Sequence, residues 1–255
     1  MAVTIKSQRE IELMRDAGKV LAEVHDALKE LVVPGISTYE INRKAHELIT
    51  KAGCTPSFLN YEGYPASVCC SVNEVVVHGI PSKSRILKEG DIISLDAGVI
   101  RKGYQSDAAR TWAVGKISED AERLIDVTKA SFFEALKVCR EGHHLNEIGE
   151  TIENFVAPYG YGIVRDLCGH GIGTEMHEEP QIPNYKMKKR GPKLCAGMTL
   201  AIEPMVNIGR CEVAWMDDDW TIVTEDGSLS AHYENTILIT KGDPEILSLV
   251  PPSLL

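Results

Sequence analysis

A chain of 255 residues, 44% hydrophobic and 25% charged, can bury a substantial core, and its composition excludes a disordered or fibrous protein. No apolar run approaches the ~18 residues of a membrane span, and a net charge of −10 argues against nucleic acid as a direct partner. Seven cysteines without a Cys-x-x-Cys pair, after a polar start over residues 1–9 with no secretory pattern, lead us to expect reduced thiols in the cytoplasm and no membrane partner. The one basic cluster, Lys186, Lys188, Lys189, Arg190 and Lys193, is read as a solvated loop in preference to a binding patch.

Ser7-x-x-Glu10 is a capping box, in which each side chain satisfies a free backbone N–H. Ile11, Met14, Leu21, Val24, Leu28 and Leu31 then share one helical face, and Pro34-Gly35 is expected to end the helix. A second capping box, Ser37-x-x-Glu40, opens a helix expected to run to about Gly53. Strands are predicted over 68–77, 91–99 and 106–114. The second half follows the same plan, with a helix from near Ser118 towards Cys139, Gly142, a helix from Glu147 to about Val156, and then strands.

The repetition extends to individual letters. Leu87, Gly90, Leu95, Asp96 and Val99 match Leu194, Gly197, Ile202, Glu203 and Val206 at a constant offset of 107, and His78-Gly79-Ile80 has a counterpart in His170-Gly171-Ile172. This predicts a duplicated helix-helix-strand unit with a break near Gly115. No linker separates the halves, so residues 1–255 are expected to form one domain, with halves of about 1–115 and 116–255.

The chemistry begins with acids in apolar strands, where Asp is depleted. Asp96 lies in Ile92-Ile93-Ser94-Leu95-Asp96-Ala97-Gly98-Val99, Glu203 in Leu200-Ala201-Ile202-Glu203-Pro204-Met205-Val206, and Glu234 just before Thr236-Ile237-Leu238-Ile239. A buried carboxylate without compensation costs several kcal/mol or takes up a proton, so a positive partner is implied. Asp107 follows Asp96 across the turn Arg101-Lys102-Gly103-Tyr104, and whether the two share a face depends on the loop length and any bulge. With Glu203, Glu234 and His170 they make four carboxylates and one imidazole. Four negative charges match two divalent cations, and this oxygen-rich set suits Mn²⁺, Fe²⁺ or Co²⁺ better than a structural zinc.

Asn73-Glu74-Val75-Val76-Val77-His78-Gly79-Ile80-Pro81, then Asp96 and Asp107, Gly169-His170-Gly171-Ile172-Gly173, Ile202-Glu203-Pro204 and Gly227-Ser228-Leu229-Ser230-Ala231, closing at Glu234, resemble the methionine aminopeptidase family in order and spacing. The likeness runs from about Ser7 to Thr240. It implies an α+β pita-bread fold, two pseudo-symmetric αβ halves with antiparallel sheet around a central dinuclear metal site. It implies a metal-dependent aminopeptidase that removes the initiator methionine from nascent chains, through hydroxide activated by two divalent ions (Co, Mn, Fe or Zn). It makes Asp96, Asp107, His170, Glu203 and Glu234 the metal ligands, with Asp107 and Glu234 bridging.

By the same resemblance, Glu203 relays a proton to the leaving amine, His177 stabilises the oxyanion and His78 holds the peptide nitrogen beyond the scissile bond. The methionine pocket involves Tyr61, Tyr64, Cys69 and Trp220. Met176 stands where Phe is usual, Phe58 where some members carry Cys, and Asn235 where His is typical. The remaining histidines, His25, His46, His143, His144 and His232, are read as packing or surface residues. Only 26 positions separate His177 from Glu203, too few for the helical insert of type II members, and no zinc-binding extension precedes Ser7, so type I is expected. A monomer in transient contact with the ribosome is the further expectation. Two other readings are weighed. A proline-directed sister enzyme usually carries an extra N-terminal domain, and a metal-free scaffold would not keep all five ligand positions.

Overall fold

The computed structural model describes residues 3–249, so the ends of the expected 1–255 domain, residues 1–2 and 250–255, lie outside the described residues. Ser7 caps α1 (Gln8–Lys29), its side chain accepting from the Glu10 N–H while Glu10 reaches back to the Ser7 N–H. Ser37 does the same for α2 (Thr38–Lys51). Strands β1 (Thr55–Pro56), β2 (Cys69–Val72), β3 (Val75–Val77), β4 (Ile92–Arg101) and β5 (Tyr104–Ala113) complete the first half. The second half opens with α3 (Glu119–Leu136), capped by Ser118, and α4 (Asn146–Val156). Its strands are β6 (Gly162–Ile163), β7 (Gly169–Gly171), β8 (Glu178–Ile182), β9 (Thr199–Ile202), β10 (Met205–Asn207), β11 (Val213–Trp215), β12 (Ile222–Thr224), β13 (Ser230–His232), β14 (Asn235–Leu238) and β15 (Glu245–Ile246).

All strand pairs among the described residues are antiparallel. β4 is central to one sheet, paired with β1, β2 and β5, and another sheet runs β15-β14-β9-β7-β8. The helices cover the outer faces. Leu21 and Leu28 of α1 and Ile41 and Ile49 of α2 are buried with Leu95 and Val99 of β4. Leu124 and Phe132 of α3 and Ile148 and Ile152 of α4 are buried with Leu200, Ile202 and Val206. Covering only one face leaves the opposite face of β4, β5 and β9 free to line an interior site.

The offset of 107 is geometric as well as textual. Gly35, Gly53 and Gly90 take φ of 96°, 72° and 93°, and Gly142, Gly160 and Gly197 take 95°, 72° and 94°. The bridge between Ser37 and Ile86 recurs between His144 and Lys193. Pairing of Thr55 with Ile100 and Pro56 with Val99 recurs as Gly162 with Asn207 and Ile163 with Val206. The second sequence match does not follow this symmetry. β7 pairs with β9 as β2 pairs with β4, so His170, opposite Ala201, answers Ser71, opposite Ser94, and His78 lies elsewhere, at the end of β3.

Two boundaries also differ from expectation. α1 ends at Lys29, before Pro34, because the chain tightens through bonds from Leu31 to Leu28 and Val32 to Lys29, where the β-branched pair Val32-Val33 disfavours helix. The strand expected over 68–77 breaks at Asn73, which takes φ of 57° and spends its side chain on Asp91 and the Ile92 N–H. The break sends β3 to pair with β12 instead of β4.

The paired glycines give a test of the symmetry. An alanine at Gly90 would meet nothing closer than 4.0 Å, so only the left-handed backbone opposes it, at about 1–2 kcal/mol. At Gly197 a Cβ would also lie 2.7 Å from Ile5 Cγ2 and 3.1 Å from the Lys6 carbonyl oxygen. Urea midpoints should therefore show a larger loss for Gly197→Ala than for Gly90→Ala. Equal losses, or a neutral Gly90→Ala, would contradict the assignment.

Candidate metal centre and adjoining pocket

The turn at Lys102 (φ 52°) and Gly103 (φ 83°) is a two-residue hairpin turn with both central residues in the left-handed region. It fixes the register left open by the sequence: Asp96 faces Ala109 and Gly98 faces Asp107. Directly opposed residues share a face, and so do residues two apart on one strand. Asp96 and Asp107 are therefore diagonal neighbours on the face away from the helices. Glu203 sits where the strand breaks between β9 and β10 before Pro204, its carbonyl accepting from Asn184 Nδ2 at 3.0 Å. Glu234 lies between β13 and β14, and its N–H donates to the Ala109 carbonyl at 2.9 Å.

Two further links lock Glu234 and its neighbours to β5. The Thr236 hydroxyl accepts from the Asp107 N–H and donates to the Asp107 carbonyl, both at 2.9 Å. The Arg110 guanidinium donates to the Glu234 carbonyl and, at 2.6 Å, to Asn235 Oδ1. Asn235, where the resemblance leads one to expect His, thus anchors the cation that holds the Glu234 backbone.

His170 brings the fifth group. Its Nδ1 lies 2.9 Å from the Gly171 carbonyl, which assigns the proton to Nδ1 and leaves the Nε2 lone pair facing the acids, 3.7 Å from Glu203 Oε1. Burial lowers its pKa to about 4, so it is neutral. Ligating atoms of Asp107, His170 and Glu234 all fall within 4.8 Å of one another.

The electrostatics of this cluster leave its acids to take up protons or to bind a cation. Burial, followed by Asp107 and Glu203, drives the Asp96 carboxyl well above its usual range. Burial pushes Asp107 up to about 7. Burial and then Asp107 raise both Glu203 and Glu234 well above the ordinary carboxylate range. For Asp107 and Glu234, whose ligating atoms lie within 4.8 Å of each other, two full charges at an effective dielectric of ~20 would repel by about 3.5 kcal/mol or more. Asp96 Oδ1, Asp107 Oδ1 and Glu234 Oε1 are buried without a hydrogen-bond partner. Orphaned carboxylate oxygens beside a neutral imidazole lone pair fit divalent metal, and the donor set is of the oxygen-rich kind.

Beside the acids lies an apolar pocket. Phe58, Tyr64, Ala66, Cys69 and Met176 are buried together, with Tyr61, Ile80 and Trp220 packed against them. The Tyr64 and Trp220 rings meet edge to face at 5.1 Å, and the Tyr64 hydroxyl donates to the Gly79 carbonyl at 3.0 Å. Cys69 lines the cavity opposite Asp96, whereas Cys70 points into the helix-covered core. His177 stands on an irregular stretch before β8, its Nδ1 2.8 Å from the Tyr61 hydroxyl and its ring 4.4 Å from that of His170. Burial lowers the pKa of His177, and burial followed by His177 lowers that of His78 to about 4.

Phe58, Tyr61, Tyr64, Cys69, His78, Asp96, Asp107, His170, Met176, His177, Glu203, Trp220 and Glu234 all line one cavity of about 160 Å³. That is room for about five waters at ~30 Å³ each, the scale of one side chain. A larger cavity of about 750 Å³ lies on the other side of Arg110 and has none of the carboxylate cluster on its wall.

The structure adds two residues that the sequence reading passed over. Glu62 lines the cavity from a loop in which Asn60 and Glu62 both take positive φ. His232, read as a packing residue, places Nε2 3.7 Å from Glu203 Oε2 and 4.0 Å from Glu234 Oε2, with both ring nitrogens unpartnered. Burial lowers its pKa to about 3, so it meets these acids neutral. The signal was its spacing of two from Glu234. His25 is a packing residue, its Nε2 donating to the Ala108 carbonyl at 2.8 Å, and His46, His143 and His144 bond to Ser67, Glu147 and Gly191.

The chain resembles known proteins over nearly its whole length. The chain is 53% identical over 247 residues to the methionine aminopeptidase of Clostridium acetobutylicum, covering 97% of this chain and 99% of that one. It is 46% identical over 248 residues to methionine aminopeptidase 1 of Bacillus subtilis, covering 97% and 100%. The crystal structure of methionine aminopeptidase from Thermotoga maritima superposes with a TM-score of 0.96 at 42% identity, covering 98% of this chain and all of that one. The sequence profile described as metallopeptidase family M24 matches residues 12–241, and the chain belongs to that family.

Proposed function

We propose that this chain is a type I methionine aminopeptidase, a hydrolase that removes the N-terminal methionine of polypeptides. The observation that carries the reading is the contact between a buried carboxylate cluster and a small apolar pocket within one cavity. Near-full-length identity to methionine aminopeptidases supports the same activity.

Asp96, Asp107, His170, Glu203 and Glu234 would hold two divalent ions, Asp107, His170 and Glu234 offering ligating atoms within 4.8 Å of one another. When bound, such ions polarise the scissile carbonyl and supply a nucleophilic water at neutral pH. The chain's own side chains orient the substrate. Phe58, Tyr64, Cys69, Met176 and Trp220 receive the methionine thioether, a polarizable group suited to aromatic and sulfur neighbours. Tyr61 donating to His177 Nδ1 leaves the Nε2 proton free for the developing oxyanion. His78 holds the peptide nitrogen beyond the scissile bond. Glu203, with a side chain 14% exposed against 2% for Glu234, is the acid best placed to pass a proton to the leaving amine.

The finer readings belong to the same proposal. Residues 1–255 act as one catalytic domain and as a monomer, a reading consistent with every site residue coming from this chain. Seven free thiols fit the cytoplasm, where new N-termini emerge at the ribosome and a transient contact there would deliver substrate. No helix among the described residues is long and apolar enough to cross a membrane.

A peptide panel tests the activity. With Mn²⁺, Fe²⁺ or Co²⁺ added, Met-Ala-Ser should release free methionine, while Leu-Ala-Ser and N-acetyl-Met-Ala-Ser should not be cleaved at comparable rates. Equal cleavage of Leu-Ala-Ser, or preference for X-Pro peptides, would remove the methionine assignment. His177→Ala tests the oxyanion role: kcat should fall by about 10²-fold or more while KM moves far less, because the contact strengthens only in the transition state. Metal content should stay normal, and a defect confined to KM would take His177 off the catalytic list.

A further inference from the structure

His177 has one side-chain hydrogen bond, to Tyr61, and stands on a stretch with no regular secondary structure. A catalytic group so placed needs its backbone held from elsewhere. The residue that follows it does this. The Glu178 carboxylate and the Lys6 ammonium lie 2.5 Å apart with side chains only 9% and 6% exposed, although 172 positions separate them in the chain. Thr4 Oγ1 donates to Glu178 Oε2 at 2.6 Å, and the Lys6 ammonium also bonds Thr4 Oγ1. Glu178 Oε1 in turn accepts from the Glu175 N–H at 3.4 Å.

The N-terminal strap that carries Lys6 is itself anchored. Its backbone N–H donates to the Gly197 carbonyl at 2.8 Å. The start of the His177 stretch is tied to the metal-bearing hairpin, with the Gln105 N–H donating to the Gly173 carbonyl at 2.8 Å. The packing between them is close. A Cβ on Gly173 would fall 2.3 Å from Glu178 Oε1 and 2.5 Å from Lys6 Cε, so the ion pair packs directly against this glycine.

We infer that the buried Lys6–Glu178 pair is a positioning device that fixes the His177 ring, and Met176 beside it, against the reacting carbonyl. The inference rests on the reading of His177 as oxyanion donor. An exposed pair would contribute little, but breaking a buried pair leaves an uncompensated charge that must find water, and the segment would move to reach it. A displacement of ~1 Å at a catalytic group can cost up to ~10²-fold in rate.

The test is a double-mutant cycle in kcat on Met-Ala-Ser with metal-loaded protein: wild type, Lys6→Met, His177→Ala and the double variant. Lys6→Met should lower kcat by about tenfold or more with a smaller change in KM. In the His177→Ala background it should cost little further, because neighbouring sites acting through one group are not additive. Glu178→Gln, which keeps the shape but removes the charge and one of the two acceptor oxygens, gives a second route should Lys6→Met fold poorly, and Lys6→Arg should restore most of the rate. Hydrogen exchange over 173–178 should quicken in Lys6→Met and Glu178→Gln and return towards wild type in Lys6→Arg. Additive losses, or unchanged exchange and kcat in both Lys6→Met and Glu178→Gln, would overturn the inference alone. A His177→Ala protein with wild-type kcat would overturn the oxyanion reading and this inference with it.

Discussion

Four carboxylates removed from water on the wall of one cavity repel one another, and the rest of this structure serves to hold them there. Left alone they would take up protons, as the raised values of Asp96, Asp107, Glu203 and Glu234 indicate. Folding must therefore bring them together with a scaffold stiff enough to resist the repulsion, and divalent cations then convert it into binding energy. The buried Arg110 guanidinium is hydrogen-bonded to a carbonyl and an amide oxygen and not to the carboxylates, so it stiffens the site and offsets only a small part of the Glu234 charge.

The stiffness comes from the internal repeat. Each half lays two helices over one face of a sheet and leaves the other face bare, and the bare faces meet at the acids. Asp96 comes from the first half and Glu203 from its equivalent position in the second, so one repeated strand position supplies an acid from each side. The equivalence is not complete. β4 continues through Asp96 without interruption, whereas its counterpart breaks at Glu203-Pro204. That break leaves Glu203 the more accessible acid, the property that the proposed proton relay calls for.

Much of this was legible in the letters. The capping boxes at Ser7 and Ser37 marked helix starts because their hydrogen bonds are local, spanning three residues. The offset of 107 exposed the two halves because a repeated strand keeps its glycines wherever the backbone needs positive φ, as at Gly90 and Gly197. Asp96 and Glu203 stood out as acids in apolar runs. What stayed hidden depended on partners distant in sequence. The turn at Asn73 is stabilised by Asp91, the face shared by Asp96 and Asp107 by the hairpin register, and the proximity of His232 to Glu203 by the pairing of β13 with β10, which sets His232 opposite Met205. The likeness of His78-Gly79-Ile80 to His170-Gly171-Ile172 misled as architecture, because three matching letters carry no pairing information.

The central claim is that the carboxylate cluster is a site for two divalent ions, and stoichiometry tests it most directly. Chelator-treated protein titrated with Mn²⁺, with bound metal counted by plasma mass spectrometry after dialysis, should reach two ions per wild-type chain. Asp107→Asn, folded and treated alike, should retain fewer than one. A wild-type chain that folds normally and saturates with no divalent ion, or an Asp107→Asn protein that still retains two, would contradict the account.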